Sequence, residues 1–529
     1  MNPPSASRRE GRRSPPRISL WRLLALSVLL LGGCASLPPL QGRPASQALA
    51  PEQAAQTRLG QALAPALAAH PGFSGIHTLS DAHEAFAARV HMIHAATRTL
   101  DVQYYIWRDD ITGTLLFQAL RAAADRGVRV RLLLDDNNTK GLDAVLAELD
   151  AHPNIQLRLF NPFVIRGARL WGFITDFSRV NRRMHNKSLT ADNRVTLIGG
   201  RNIGDEYFGA TPGLLFADLD VLAVGPVVQA VSDDFDRYWR SASAYPAQSI
   251  LNEPPPGSRR AMDAALALVY NKSDATTYLK LARQGGLAAR LSGDRLSMEW
   301  APTHLVSDDP AKALRELPES QRVMARLQTL LGTPQRSLDI VSPYFVPTRQ
   351  GVDRLSGLVA DGVRVRVLTN ALEATDVAAV HAGYARWRKA LLRAGVQLFE
   401  MKGGESAPPG RRRAGPWGSA SLSLHAKTLA VDGRRLAVGS FNMDPRSAHL
   451  NTEIGFVIDS PALAGALHQA FSERVPDSAY QVRLDKHGDL YWVERTDQGP
   501  VLYYHDPGSG LLKRMGVSIM TLLPIEWML

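Results

Sequence analysis

The sequence predicts an α/β protein made of two related halves, and three observations carry that expectation. A short polar signature occurs twice: His185 and Lys187 with Asp192 five residues on, then His425 and Lys427 with Asp432 five residues on. Each copy, HxKx4D, leads into a glycine-rich turn ending in asparagine, Gly199-Gly200-Arg201-Asn202 and Gly439-Ser440-Phe441-Asn442. One such motif arises by accident in about one chain in a hundred of this length, so two with matching sequels are not accidental. Upstream of each copy, a stretch from Arg98 to Asp136 matches one from Arg336 to Asn370, both reading as strand, helix, strand. The spacing is the third observation: Asp339 follows Asp101 by 238 residues and His425 follows His185 by 240, which marks an internal duplication. Alternation of buried strands with helical stretches argues for a sheet in each half covered by helices on both faces.

In chain order, residues 1–22 carry Arg8, Arg9, Arg12, Arg13, Arg17 and Arg22, and Leu23 to Leu31 form an apolar run too short to span a bilayer. Gly32-Gly33-Cys34 follows. Residues 1–33 thus resemble a bacterial lipoprotein signal peptide, with Cys34, the only cysteine among 529 residues, as the lipidated position. Arg12-Arg13 runs into Ser-Pro-Pro rather than a twin-arginine consensus, which favours the general export route. Ala35 in place of Asp favours an outer over an inner membrane, so the expected location is the bacterial envelope, lipid-anchored and periplasm-facing. Residues 34–70, rich in Pro, Ala and Gln, read as a tether. The first half follows at 71–250 and a connecting insertion, opened by three prolines from Pro254, at 251–310. The second half covers 311–475. Residues 476–529, with Tyr491-Trp492, a Gln498-Gly499 turn and Tyr503-Tyr504, read as a small β-rich appendage packed on the main body. No other span is long and apolar enough for a transmembrane helix.

The periods around the motifs place their side chains. Ser188–Ala191 and Val195–Ile198 read as strands joined by a tight Asp192-Asn193 turn, and Thr428–Val431 and Arg435–Gly439 as strands joined by Asp432-Gly433. Residues i and i+2 of a strand share a face, so each His projects with its Lys. Asp192 and Asp432 belong to the turns, and bracing is their expected role. A histidine beside a lysine suits phosphodiester chemistry without a metal or other cofactor. Neutral imidazole attacks phosphorus to give a covalent phosphohistidine, and a second, protonated imidazole hands a proton to the leaving alkoxide. Lys187, Lys427, Asn202 and Asn442 are then expected to hold the non-bridging oxygens and offset the charge that gathers there.

These motifs resemble those of the phospholipase D superfamily, defined by HxKx4D followed by G-S/G-x-N. Within it the likeness is to bacterial cardiolipin synthases, spread over roughly residues 75 to 529 through the stretches at Tyr104, Arg182, Ile198, Phe216, Ser307 and Val380 and the C-terminal Leu523 to Leu529. The resemblance implies two α/β/α sandwich halves packed as a pseudo-dimer within one monomer, both motifs facing one cleft. It implies a nucleophile in the first half, His185, with His425 as acid and then base. In related enzymes an acid bonds the far nitrogen of each catalytic imidazole and fixes its tautomer; Glu453 and Asp220 are the candidates here. Ser440 has no hydroxyl counterpart in the first half, where Gly200 stands.

Charge narrows the partner. Lys and Arg number 61 against 50 Asp and Glu, a formal +11, and leaving out residues 1–33 lowers it to +6. The remainder suits an anionic partner, and Arg411–Arg413 in a Gly/Pro-rich loop before the second motif is placed to steer one toward the cleft. The expected partners are phospholipid substrates and a membrane surface reached by the lipid anchor, with no nucleic acid. The expected reaction is metal-independent phosphatidyl transfer that makes cardiolipin from phosphatidylglycerol and a second phospholipid. The rivals are hydrolysis to phosphatidic acid, an exported phosphodiesterase or nuclease, and a non-catalytic envelope lipoprotein. No motif His or Lys is lost, which weighs against the last.

Overall fold

The computed structural model describes residues 36–210, 215–273, 275–283, 287, 296–403, 422–523 and 526. Cys34 and Arg411–Arg413 lie outside them. The first half supplies strands β1 (Ser74–Leu79), β2 (Thr99–Tyr104), β3 (Arg129–Asp135), β4 (Ile155–Phe160), β5 (Ser188–Ala191), β6 (Val195–Gly199), β7 (Leu215–Ala217), β8 (Asp220–Val224), β9 (Ala244–Pro246) and β10 (Glu299–Ala301). The second supplies β11 (Thr303–Ser307), β12 (Ser337–Val341), β13 (Arg364–Asn370), β14 (Gln397–Met401), β15 (Leu422–Leu424), β16 (Thr428–Val431), β17 (Arg435–Gly439), β18 (Ile454–Asp459), β19 (Ala479–Leu484), β20 (Leu490–Thr496) and β21 (Gly499–Tyr503).

Two sheets result, in the orders β10-β1-β8-β6-β5-β2-β3-β4-β9 and β11-β18-β17-β16-β12-β13-β14-β19-β20-β21. From β1 and β11 onward the two orders match strand for strand through β9 and β19, as a duplication requires. In each, three parallel strands (β2-β3-β4, β12-β13-β14) join antiparallel ones. The repeated Asp and Arg that mark the duplication pair across the parallel strands. Arg131 forks onto Asp101 at 2.7 and 2.8 Å, and Arg366 meets Asp339 at 2.6 Å, all four buried. Buried charges persist only when partnered in this way.

The halves close on each other through a shared apolar layer in which Ile76, Ile198 and Val221 of the first pack with Val438, Ile454 and Phe456 of the second. A two-stranded parallel sheet, β7 with β15, also crosses the boundary.

Three expected boundaries change. Residues 36–70 are not a free tether: Arg43 donates to the Ser241 carbonyl at 2.7 Å, Ala48 N–H to Asp236 at 3.0 Å, and Leu59 and Leu63 of the helix Arg58–Ala69 are buried in the first half's core. A Pro/Ala-rich composition hid an amphipathic helix. The connecting insertion 251–310 is divided between the halves: Val269 and Tyr278 enter that core, β10 extends the first sheet, and β11 opens the second. The C-terminal appendage is likewise continuous with the second sheet through β14–β19 pairing.

Candidate active site

Each motif sits on a hairpin whose turn explains its aspartate. Asp192 and Asn193 (φ 51° and 53°) and Asp432 and Gly433 (φ 55° and 61°) are left-handed, the backbone of a two-residue hairpin turn that Asn, Asp and Gly tolerate. The Asp192 carboxylate accepts the N–H groups of Thr97, Arg98 and Thr99, and Asp432 those of Gln335, Arg336 and Ser337. Both brace the start of the central strand, β2 or β12, against the motif hairpin and stand away from the reacting groups.

The chain just before each hairpin crosses to the other half. His185 N–H donates to the Thr452 carbonyl at 2.9 Å and His425 N–H to the Ala217 carbonyl at 2.8 Å. As a result each imidazole meets a carboxylate from the opposite half: His185 Nδ1 lies 2.9 Å from Glu453 Oε2, and His425 Nδ1 lies 2.6 Å from Asp218 Oδ2. Both carboxylates are buried. The ionised Glu453 fixes Nδ1 of His185 as its protonated nitrogen and leaves Nε2 for substrate, while His425 Nδ1 is shared between Asp218 and Lys427 Nζ at 3.1 Å.

The first-half candidate Asp220 is thus corrected to Asp218. Gly199 pairs with Asp220 and Gly439 with Gly455, so the residue equivalent to Glu453 lies two positions before Asp220. Asp220 instead holds Arg89 at 2.9 Å and Arg201 at 3.3 Å in a buried ion cluster. The Gly200 and Ser440 difference also acquires a cause. The Ser440 hydroxyl donates to Glu453 Oε2, whereas a Cβ at Gly200 would stand 2.0 Å from Asp218 Oδ1. The shorter acid occupies the place of the serine side chain.

Lys187 and Lys427 are buried, and each folds its ammonium onto the carbonyl of its own motif histidine. Burial dominates their electrostatics. It lowers Lys187 to about 7 and brings Lys427 below the ordinary lysine value, against the pull of Glu453 and Asp218. Burial lowers His185 to about 4 despite Glu453, and holds His425 well below the usual range, with Lys427 and Lys187 adding to the effect. Burial also opposes ionisation of Glu453, yet His185, Lys187 and the Ser440 hydroxyl leave its carboxyl below the ordinary value; Asp218 stays above its own because burial outweighs Lys427 and Arg201. Two lysines and two imidazoles crowded out of water form a receptor for an anion, whose arrival restores their charge.

Asn202 is already engaged. Its Oδ1 accepts Ile106 N–H at 3.2 Å and its Nδ2 donates to the Tyr207 hydroxyl at 2.9 Å. Asn442 is buried, and among the described residues its Oδ1 has no partner. Four residues that the motifs do not announce complete the walls. Tyr105 stands edge-on to His185 at 4.9 Å, and Tyr207 and Phe216 pack on His425 at 5.3 and 4.8 Å. Asp308, directly after β11, accepts Glu453 N–H at 3.1 Å and a buried Lys312 at 2.8 Å.

A site made of two histidine–lysine pairs, each imidazole backed by an acid across a pseudo-twofold boundary, defines a phospholipase D-like fold and centre. Residues 90–239 and 327–475 match the family described as cardiolipin synthase, PLD-like domain, and the chain belongs to that family. It is 49% identical over 472 residues to cardiolipin synthase C of Escherichia coli (strain K12), covering 89% of this chain and all of that one. It is 30% identical over 514 residues to an uncharacterized protein of Helicobacter pylori (strain J99), covering 95% and 98% of the two chains. Phosphatidylserine synthase of Haemophilus influenzae Rd KW20 shares the fold at 14% identity, with a TM-score of 0.54 over 89% of this chain and all of that one.

Proposed function

We propose that the protein is a phosphatidyltransferase that makes cardiolipin, with phosphatidylglycerol as acceptor and a second phospholipid as donor. The observation that carries this reading is the pair of crossed His–carboxylate couples within a family of cardiolipin synthases. His185 attacks the donor phosphorus through Nε2, a phosphorus–nitrogen bond forms as the headgroup oxygen departs, and His425 gives that oxygen its proton. His425 then takes the proton of the acceptor hydroxyl, which attacks phosphorus and frees His185. The ionised Glu453 supports the first assignment, since it stabilises the imidazolium that phosphorylation creates. Asp218, held toward its neutral form by burial, supports the second, since with His425 it can keep a proton for the leaving group. Lys187 and Lys427 hold the non-bridging oxygens.

The anchor belongs to the same reading. Lipidation at Cys34 at the periplasmic face of the envelope, in an outer membrane by the Ala35 criterion, is supported by the leader's pattern. Among the described residues no helix is long and apolar enough to cross a membrane.

Product analysis tests the reaction. Vesicles containing phosphatidylglycerol and phosphatidylethanolamine should yield mainly cardiolipin, because a positioned lipid hydroxyl outcompetes water by several kcal/mol. Predominant phosphatidic acid would make the protein a phospholipase, and DNA cleavage without lipid turnover would overturn the proposal.

A further inference from the structure

Two exposed apolar segments rise at the same end of the two sheets. In the first half, Leu170 (79% exposed), Ile174 (71%), Trp171 and Phe177 project from the short helices Arg169–Thr175 and Phe177–Val180. In the second, Leu512 (80%), Leu522 (82%), Leu511 and Ile519 project from the helix Leu511–Met520 and the turn after it. Monomeric proteins rarely leave so many large apolar side chains clustered in water without a use for them.

Their placement relates them to the site. Arg169 donates to the Asp136 carbonyl at 2.7 Å, just beyond the carboxyl end of β3, and Gly172 packs on Phe163 beyond β4. Val517 of the helix Leu511–Met520 packs on Leu372 and Ala382, just beyond β13. The carboxyl ends of the parallel strands are where the site lies, since Tyr105 follows β2 directly and touches His185. A cavity of about 550 Å³ is lined by residues of both halves, among them Arg182, Thr348, Arg386, Pro445, Leu450 and Glu526. Arg182 lies three residues before His185, and Pro445 three after Asn442. The apolar segments thus lie, one from each half, at the strand ends where the centre is built.

We propose that Ile165–Phe177 and Leu511–Leu523 form a docking surface for a phospholipid bilayer, which seats the approach to the active site on the membrane. This rests on the reading of the site as phospholipid chemistry. Charge favours a bilayer over a protein partner. The stretch 165–183 holds Arg166, Arg169, Arg179, Arg182 and Arg183 against Asp176 alone, and 511–523 holds Lys513 and Arg514 with no acid. The arginines of the first stretch turn inward, Arg166 to Asp136 and Asp143, Arg169 to Asp136, Arg179 to Asp176 and Arg183 to Asp135, so the first patch presents apolar side chains and the basic excess lies with Lys513 and Arg514 of the second. That combination of Leu, Ile, Trp and Phe beside Arg and Lys is what the headgroup region of an anionic membrane accepts. The two patches stand on separate elements, one in each half.

The test uses the full chain with anionic vesicles of phosphatidylglycerol and phosphatidylethanolamine. Brominated acyl chains should quench part of the tryptophan emission, and Trp171→Phe should abolish that part; equal quenching in both would overturn the proposal. In parallel, Leu170→Asp with Ile174→Asp, and separately Leu512→Asp with Ile519→Asp, should lower the ratio of turnover on vesicles to turnover on monomeric short-chain phospholipid about tenfold, with unchanged thermal unfolding. An unchanged ratio would overturn it, as would restoration of vesicle turnover by a second protein or a change of oligomeric state in place of lipid binding. The quenching needs no catalysis, so it separates failure of docking from failure of the proposed reaction.

Discussion

At the scale of single residues, the sequence displays the groups that react and conceals those that tune them. His185, Lys187, His425 and Lys427 were legible because local strand periodicity puts each pair on one face. The acids were half legible. Glu453 is the partner of His185, while Asp218 and not Asp220 serves His425, because the pairing runs between halves and only strand register distinguishes two carboxylates two residues apart. Asp218→Asn should therefore lower kcat about 10²–10⁴-fold with the fold intact, by analogy with loss of a positioned acid–base partner. Asp220→Asn should instead destabilise the protein by about 3–5 kcal/mol by stranding buried Arg89 and Arg201, with kcat of the folded fraction retained. Kinetics and denaturant unfolding on both variants distinguish the roles. Lys187 gives a pH signature. Its folded value of about 7 means that the free site loses this cation as pH rises through neutrality, so kcat/KM should fall above about pH 7. A bound phosphodiester raises the lysine, so the corresponding limb of kcat should lie at higher pH. A pH profile in which both parameters fall together would contradict this.

At the scale of elements, the hairpins were readable and their surroundings were not. Asp-Asn and Asp-Gly between alternating runs announce a left-handed two-residue turn, and both occur as read. By contrast, the helix Arg58–Ala69 lay hidden in a composition that suggests a tether, and the connection and the packed β-rich appendage supply β10, β11 and β19–β21 as continuations of the sheets, which composition does not record. Short edge strands owe their place to neighbours distant in sequence, which local patterns do not record. The turn after the first motif supplies a prediction of its own. Gly200→Ser, which copies the second half, should displace Asp218 and cost activity far more than Ser440→Gly, since only the former forces a side chain into an occupied place. Comparable loss in the two variants, measured at equal folded fractions, would show that the Asp218 carboxylate has room to move.

At the scale of the whole molecule, the duplication makes one centre rather than two. Neither half contains a complete histidine–acid couple, because His185 depends on Glu453 and His425 on Asp218. Chain segments 36–302 and 303–529, expressed singly, should have no turnover, and co-expressed they should recover it through the shared apolar layer and the β7–β15 pairing. Activity in either segment alone would refute the crossed arrangement. The most direct test of the central claim is capture of the covalent intermediate. With phosphatidylethanolamine labelled in its phosphate as donor, and with acid excluded throughout, an alkaline quench of the His425→Ala variant should leave label on His185, found by peptide mapping, and His185→Ala should carry none. Label on neither histidine in the presence of turnover, or label on another residue, would contradict the two-histidine relay.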